Sequence, residues 1–432
     1  MLTALLNLSA VCTLNLFLFL CCFTHSFYTA GTQGGSLYDS TVPYYYYRIK
    51  ADGTYSNGSG CGNETDSEAP MFRKYMIDSL KHWMLDYHIN GFRFDLMGIH
   101  SKEAMKEIYE ALSEIDQNVL VYGEPWTGGD CLVENGATQA VSAGEYGVGA
   151  FDDDFRDAVK GAEFGGFKTG QVQGEFNDTG IASGLVGNSG NNNRNVTGEP
   201  GLALHYVECH DNFTLYDKLV YSLKENLEDV QKADKDGKIA TKWPASVSKE
   251  QLELIKKEDK LAAAFVILSQ GTPFMNGGQD FLRTKKGNPD SYSADTKGGI
   301  EWTNEAGVYN IDDVNTVNLS MKTDNADVYN VYKGLIALRK NNSDAFGKNT
   351  SASASTAKTK NADGKEVRTK GVTKYTTGDF RIFFNATDND VEIASGEMTG
   401  YTKVIDVTSG TPEESTTVPT SVPAKSFVIL KK

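Results

Sequence analysis

Apolar positions along the chain follow two rhythms. From about residue 70 to residue 340, short apolar runs alternate with longer stretches in which apolar residues recur every three to four positions. In the first such stretch, 70–88, Phe72, Tyr75, Met76, Leu80, Trp83, Met84 and Tyr87 share one helical face. Pro70 suits the first turn of a helix there, and Asp66 and Ser67 are candidate caps. A strand is expected over Gly91–Phe94, then a helix over 101–115 with Ala104, Met105, Ile108, Tyr109 and Leu112 on one face. The apolar run Val119-Leu120-Val121 predicts the next strand, and Leu202–Val207 another. Helices are expected near Thr214–Glu225, Leu252–Leu268 and Val328–Lys340, with a short strand at Thr272–Asn276. Strand, helix, strand in this order predicts a parallel sheet covered by helices.

The pattern changes near Asn341. Ser and Thr dominate 349–360, and short alternating runs follow at Phe380–Phe384 and Ser426–Leu430. Period-2 alternation over short runs predicts a small antiparallel β-domain. It carries no acid–base cluster, so packing on the preceding domain is its expected role, with sugar binding the minor reading. The irregular stretches are 27–70, rich in Gly, Tyr, Ser and Asn, and the Asn- and Gly-rich Gly187–Asn195. The charged stretch Asn226–Lys249 reads as an insertion.

Polar residues break the apolar runs in three places. In Gly91-Phe92-Arg93-Phe94-Asp95, Arg93 and Asp95 are two apart and point the same way on a strand. Such a pair keeps the carboxylate ionised, although an isolated Arg-x-Asp reads equally well as a structural ion pair. Tyr122-Gly123-Glu124-Pro125-Trp126 places Glu124 just past the second run, and Glu208-Cys209-His210-Asp211-Asn212 follows the third. Three carboxylates thus stand at the C-terminal ends of three predicted parallel strands, the ends that gather chemistry in a barrel. A pair of carboxylates flanking one bond is what glycoside hydrolysis requires.

The motifs GFRFDLMGIH, YGEPW and ECHDN, in that order, resemble signature regions of the α-amylase superfamily. The Leu-Met-Gly after Asp95 and the HDNFTLYDKL around Asp211 most resemble type I pullulanases, from about Phe27 to the C-terminus. The resemblance implies an α/β fold: an incomplete (β/α)8 TIM-type barrel lacking its first strands, spanning 27–340, followed by a C-terminal antiparallel β-sandwich domain, 341–432. It implies hydrolysis of α-1,6 links in pullulan, glycogen or starch-derived branched α-glucans by a retaining double displacement. Asp95 would be the nucleophile, Glu124 the general acid–base and Asp211 the stabiliser of the transition state. Arg93 would keep Asp95 charged, His210 would donate to sugar hydroxyls, and Trp126 and His100 would line the cleft. The resemblance also places Gln279-Asp280-Phe281-Leu282-Arg283-Thr284 in the loop at the last barrel strand, with Asp280 where relatives often carry Glu. Two other classes stay open: another α-glucan hydrolase of isoamylase or α-amylase type, and an inactive glucan-binding fragment.

Composition narrows the partners. The formal net charge of −15 argues against nucleic acid and anionic membrane surfaces. No redox cofactor is implied. Asp152-Asp153-Asp154 offers oxygen ligands for Ca²⁺, but a cap by Asp154 on a helix starting near Phe155 is the stronger expectation. Cys61, Cys131 and Cys209 lack metal-type spacing and read as free thiols, with packing the expected role of Cys209.

Residues 1–26 stand apart. Leu2–Phe23 carry no charge, long enough an apolar stretch to span a bilayer, yet Asn7, Ser9, Thr13 and Asn15 dilute it and no Lys or Arg occurs before Arg48. A signal peptide, a membrane anchor and sequence foreign to the fold are the three readings. Thr24-His25-Ser26 stands where the family's first signature is expected, which favours the third. Secretion or membrane contact follows only from the first two; a cytoplasmic protein follows from the third.

Overall fold

A computed structural model describes residues 37–139, 141, 143–187, 199–235, 239–244, 246–291, 301–304, 306–310 and 314–432. The N-terminal apolar segment and most of Gly187–Asn195 lie outside the described residues. Two compact units emerge. One holds the described residues up to Phe151 together with those from Glu199 to Leu204; the other holds Asp152–Gly187 and those from His205 to Lys432.

The first unit holds parallel strands β1 (Gly91–Phe94), β2 (Leu120–Gly123) and β3 (Gly149–Phe151) and all but the last residue of β4 (Ala203–His205), neighbours in that order. Every residue of β1 is buried, Arg93 included, as expected for a strand covered on both faces. Phe72, Met76 and Leu80 of helix Pro70–Tyr87 pack with Phe92 and Phe94. Met105, Ile108 and Leu112 of helix Lys102–Ser113 join the same core. The apolar stripe of the first helix is narrower than its periodicity suggests: Tyr75 and Tyr87 are 46% and 55% exposed. Its expected caps serve elsewhere. The N-cap is Ala69, with no side-chain cap, while Ser67 and Asp66 meet the buried Arg48 guanidinium. The second helix is capped by Ser101, whose hydroxyl accepts from Ala104 N–H. Arg48 also donates to the Ile99 carbonyl at 2.8 Å and pairs with the buried Glu64, so it ties the long 45–68 loop to the segment after β1.

In the second unit, helix Asp153–Lys160 begins on Asp152, whose carboxylate accepts from Phe155 N–H at 2.9 Å. The cap is therefore Asp152, not Asp154, and the helix starts two residues early. The other Asp152 oxygen lies 3.1 Å from Nε2 of the buried His205. Helix Lys249–Leu268 starts at a capping box made by Ser248 and Gln251. Its last eight residues, Leu261–Leu268, are all buried. The charged stretch read as an insertion opens within a helix, Lys224–Lys235, that buries Val230 and Ala233.

The C-terminal β-domain belongs to this same unit. Its strands form one antiparallel eight-stranded sheet. Alternation assigns its two faces. Ile382, Phe384 and Ile429 join the core that includes helix Lys249–Leu268, where Phe265 stacks on Phe384 at 4.4 Å. Phe383 and Leu430 point into a second core shared with Ala357, Val372, Ile393 and Val422, all from the β-domain. The sheet thus encloses one core of its own and uses its other face to bind the helices. No described helix is long and apolar enough to cross a membrane.

Candidate active site

The register of β1 and β2 places the first two acids. Arg93 pairs with Tyr122 and Phe94 with Gly123, and Glu124 N–H donates to the Phe94 carbonyl at 3.0 Å. Asp95 and Glu124 therefore occupy the same level, each one residue past its strand. Between them lies Arg93. Its Nη1 donates to Asp95 Oδ1 at 3.0 Å, and its Nη2 donates to Glu124 Oε1. Leu96 N–H donates to the other Glu124 oxygen at 2.8 Å. The guanidinium itself sits over the Phe151 ring, 5.8 Å from its centroid. Glu124 is only 6% exposed, whereas Asp95 is partly open to solvent.

One guanidinium fork thus carries a carboxylate on each terminal nitrogen.

Backbone strain sits at the same place. Leu96 adopts φ 43°, a left-handed conformation that costs a bulky residue on the order of 1–3 kcal/mol. The strain turns the chain so that its N–H meets Glu124. Gly98 completes the turn. Its N–H donates to the carbonyls of Glu124 and Trp126, both at 3.1 Å, and a Cβ there would meet the Trp126 carbonyl at 2.5 Å. Trp126 is half-buried beside this turn.

His100, expected along the cleft, is 0% exposed and edge-on to Phe94. The 3-10 turn Met97–Ile99 rotates it into the core. Burial, and then the nearby Arg48 charge, pushes its pKa down to about 3. A permanently neutral, enclosed imidazole does not contact a polysaccharide, so His100 is a core residue rather than a lining one.

The third motif lies in the second unit, directly after β4. Glu208 is fully buried and accepts from Leu215 N–H at 2.7 Å and from the Asn276 amide at 3.0 Å. Burial pushes its pKa up to about 7 despite those bonds. His210 and Asp211 are exposed, with His210 Nε2 3.4 Å from Asp211 Oδ1. Cys209 lies beside them, its thiol pushed up to about 11 by burial and then by the Asp211 charge. Asn212 follows at φ 60°. In the first and third motifs an acid open to solvent, Asp95 or Asp211, is followed by a left-handed residue, Leu96 or Asn212, whereas Glu124 of the second motif is buried. Asp280, in the loop after β5 (Thr272–Pro273), also has its pKa raised by burial.

Sequence reasoning passed over two residues. Leu96 could be found only through its φ. Phe164 is 67% exposed with the Arg156 guanidinium 5.8 Å from its ring centroid, an accessible aromatic face of the kind that stacks on sugars. Its position between Glu163 and Gly165 gave no periodic signal.

No family model matches the chain. It is 34% identical over 271 residues to a pullulanase of Bacillus subtilis, covering 62% of this chain and 34% of that protein. To the chloroplastic pullulanase 1 of Arabidopsis thaliana it is 29% identical over 315 residues, covering 60% and 30%. The chain thus spans about a third of the length of these curated relatives. Among solved structures, it is similar to the pullulanase from Bacillus acidopullulyticus at a TM-score of 0.75 and 29% identity, over 95% of this chain and 45% of that one. A pullulanase from Paenibacillus barengoltzii, solved with maltohexaose and α-cyclodextrin, is similar at a TM-score of 0.70 and 29% identity, over 95% and 57%.

Proposed function

Starting from a chain related in sequence and fold to the pullulanases, we propose that it hydrolyses α-1,6-glucosidic links in branched α-glucans with retention of configuration. The observation that carries this reading is the single Arg93 guanidinium shared by Asp95 and Glu124 at the ends of adjacent parallel strands.

In this mechanism Asp95, which accepts a hydrogen bond from Arg93, attacks the anomeric carbon and forms a glycosyl-enzyme. Glu124 gives its proton to the leaving oxygen, which departs as the sugar hydroxyl. Glu124 then takes a proton from water, which attacks the anomeric carbon and frees Asp95. Asp211 accepts hydrogen bonds from sugar hydroxyls and favours the positive, oxocarbenium-like transition state. His210 donates to the sugar. Leu96 N–H receives the Glu124 carboxylate each time it is charged.

The test is release of reducing ends from pullulan by the purified chain and by Asp95→Asn. Maltotriose from the native chain and none from the variant support the reading. Panose would indicate α-1,4 cleavage by an α-amylase-type enzyme, and binding of glucan without any turnover would indicate a binding protein.

A further inference from the structure

Consecutive side chains on an extended strand point to opposite faces. Cys209, His210 and Asp211 do not. One donor atom from each, the thiol sulfur, an imidazole nitrogen and a carboxylate oxygen, lies within 4.8 Å of the others. Among the described residues, no other group of three or more His, Cys, Asp or Glu side chains meets that condition. The backbone explains the convergence. Asn212, at φ 60°, turns the chain back, and the Cys209 thiol reaches the Asp211 carbonyl at 3.7 Å. The turn is held from outside: the Asn276 amide donates to the Cys209 carbonyl at 3.1 Å, and Lys285 Nζ donates to the His210 carbonyl at 3.2 Å. Two of the three side chains, His210 and Asp211, are exposed.

We infer that Cys209, His210 and Asp211 form a three-ligand site for zinc or a similarly thiophilic divalent cation. The donor set decides the class. Calcium and magnesium take oxygen ligands, whereas sulfur, imidazole and carboxylate together suit a borderline-soft ion. Three protein ligands leave the fourth tetrahedral position to water. On binding, Cys209 loses its proton to solvent and becomes the thiolate ligand. The Lys285 ammonium opposes the cation, and the Asp211 and Glu208 carboxylates offset it. Resting on the function proposed above, occupation takes Asp211 away from the sugar, so the ion is an inhibitor and the thiol makes hydrolysis sensitive to free zinc.

Cobalt(II) added to the metal-stripped full chain tests the site directly. Expected is a thiolate-to-cobalt charge-transfer band in the near ultraviolet, abolished by zinc. The band should vanish in Cys209→Ser and persist in the double variant Cys61→Ser/Cys131→Ser. His210→Ala should weaken cobalt affinity by about 10-fold or more. A native chain without the band overturns the inference, as does a band that survives Cys209→Ser. Pullulan hydrolysis is read in parallel. Zinc inhibition reversed by a chelator supports both proposals; a cobalt band with hydrolysis unaffected by zinc leaves the metal site standing and removes Asp211 from the mechanism.

Discussion

Arg93 donates to Asp95 across 3.0 Å from a side chain that is itself almost wholly buried. A buried guanidinium needs a partner for its charge, and here it has two, because Glu124 takes the other terminal nitrogen. The planar fork is what reaches both. Lysine keeps the charge but presents a single point donor. Arg93→Lys is therefore expected to fold and to lose about 100-fold or more in kcat/KM on pullulan, equivalent to about 2.7 kcal/mol of transition-state stabilisation. Steady-state kinetics beside a thermal melt separate this outcome from simple unfolding.

Glu124→Gln removes the proposed proton donor while nearly preserving shape. The expected loss in kcat is about 100- to 10,000-fold. The substitution also removes the limb of the pH–rate profile that reports the general acid. Substrates with an activated leaving group, which need no proton, should lose far less in the first step. A uniform loss across substrates would instead mean that the side chain only supports the fold.

Asp259 gives a prediction about stability with a definite sign. It lies within helix Lys249–Leu268, fully buried, and burial holds its pKa well above the ordinary carboxylate value, with the Glu208 and Asp280 charges adding to the effect. Above about pH 4 the unfolded chain ionises this group while the folded chain keeps it protonated. The unfolded state then binds fewer protons, so the contribution of Asp259 to stability falls as pH rises from that point. Asp259→Asn escapes this loss. Its melting temperature should exceed that of the native chain near pH 8, and the gap should close near pH 3. Thermal unfolding monitored by circular dichroism at both pH values checks it.

Much of this was legible in the chain itself. Strand Gly91–Phe94 was readable because it is short, apolar and ends on an acid, and helix Lys249–Leu268 because its apolar end leaves no face for solvent. Arg93, Asp95 and Glu124 converge as their strand positions imply. Other features were hidden for physical reasons. His100 shares the motif of Asp95, yet a single 3-10 turn decides whether it faces the cleft or the core. Three consecutive acids, Asp152 to Asp154, look alike in sequence, and only the position of Phe155 N–H selects the cap. Lys224–Lys235 carries too few apolar residues to announce a helix, but tertiary burial of Val230 and Ala233 supplies what periodicity lacks. The convergence of Cys209 with His210 and Asp211 depends on one left-handed residue, which no spacing rule encodes.

The central claim is a covalent role for Asp95, and trapping the intermediate tests it most directly. A fluorinated α-glucosyl fluoride forms the glycosyl-enzyme quickly but destabilises the transition state for its hydrolysis, so the ester accumulates. Peptide mass spectrometry of the treated chain should find one added sugar on the peptide that contains Asp95, and none in Asp95→Asn. A sugar attached to a different carboxylate, or pullulan hydrolysis with inverted product and no trapped ester, would contradict the account.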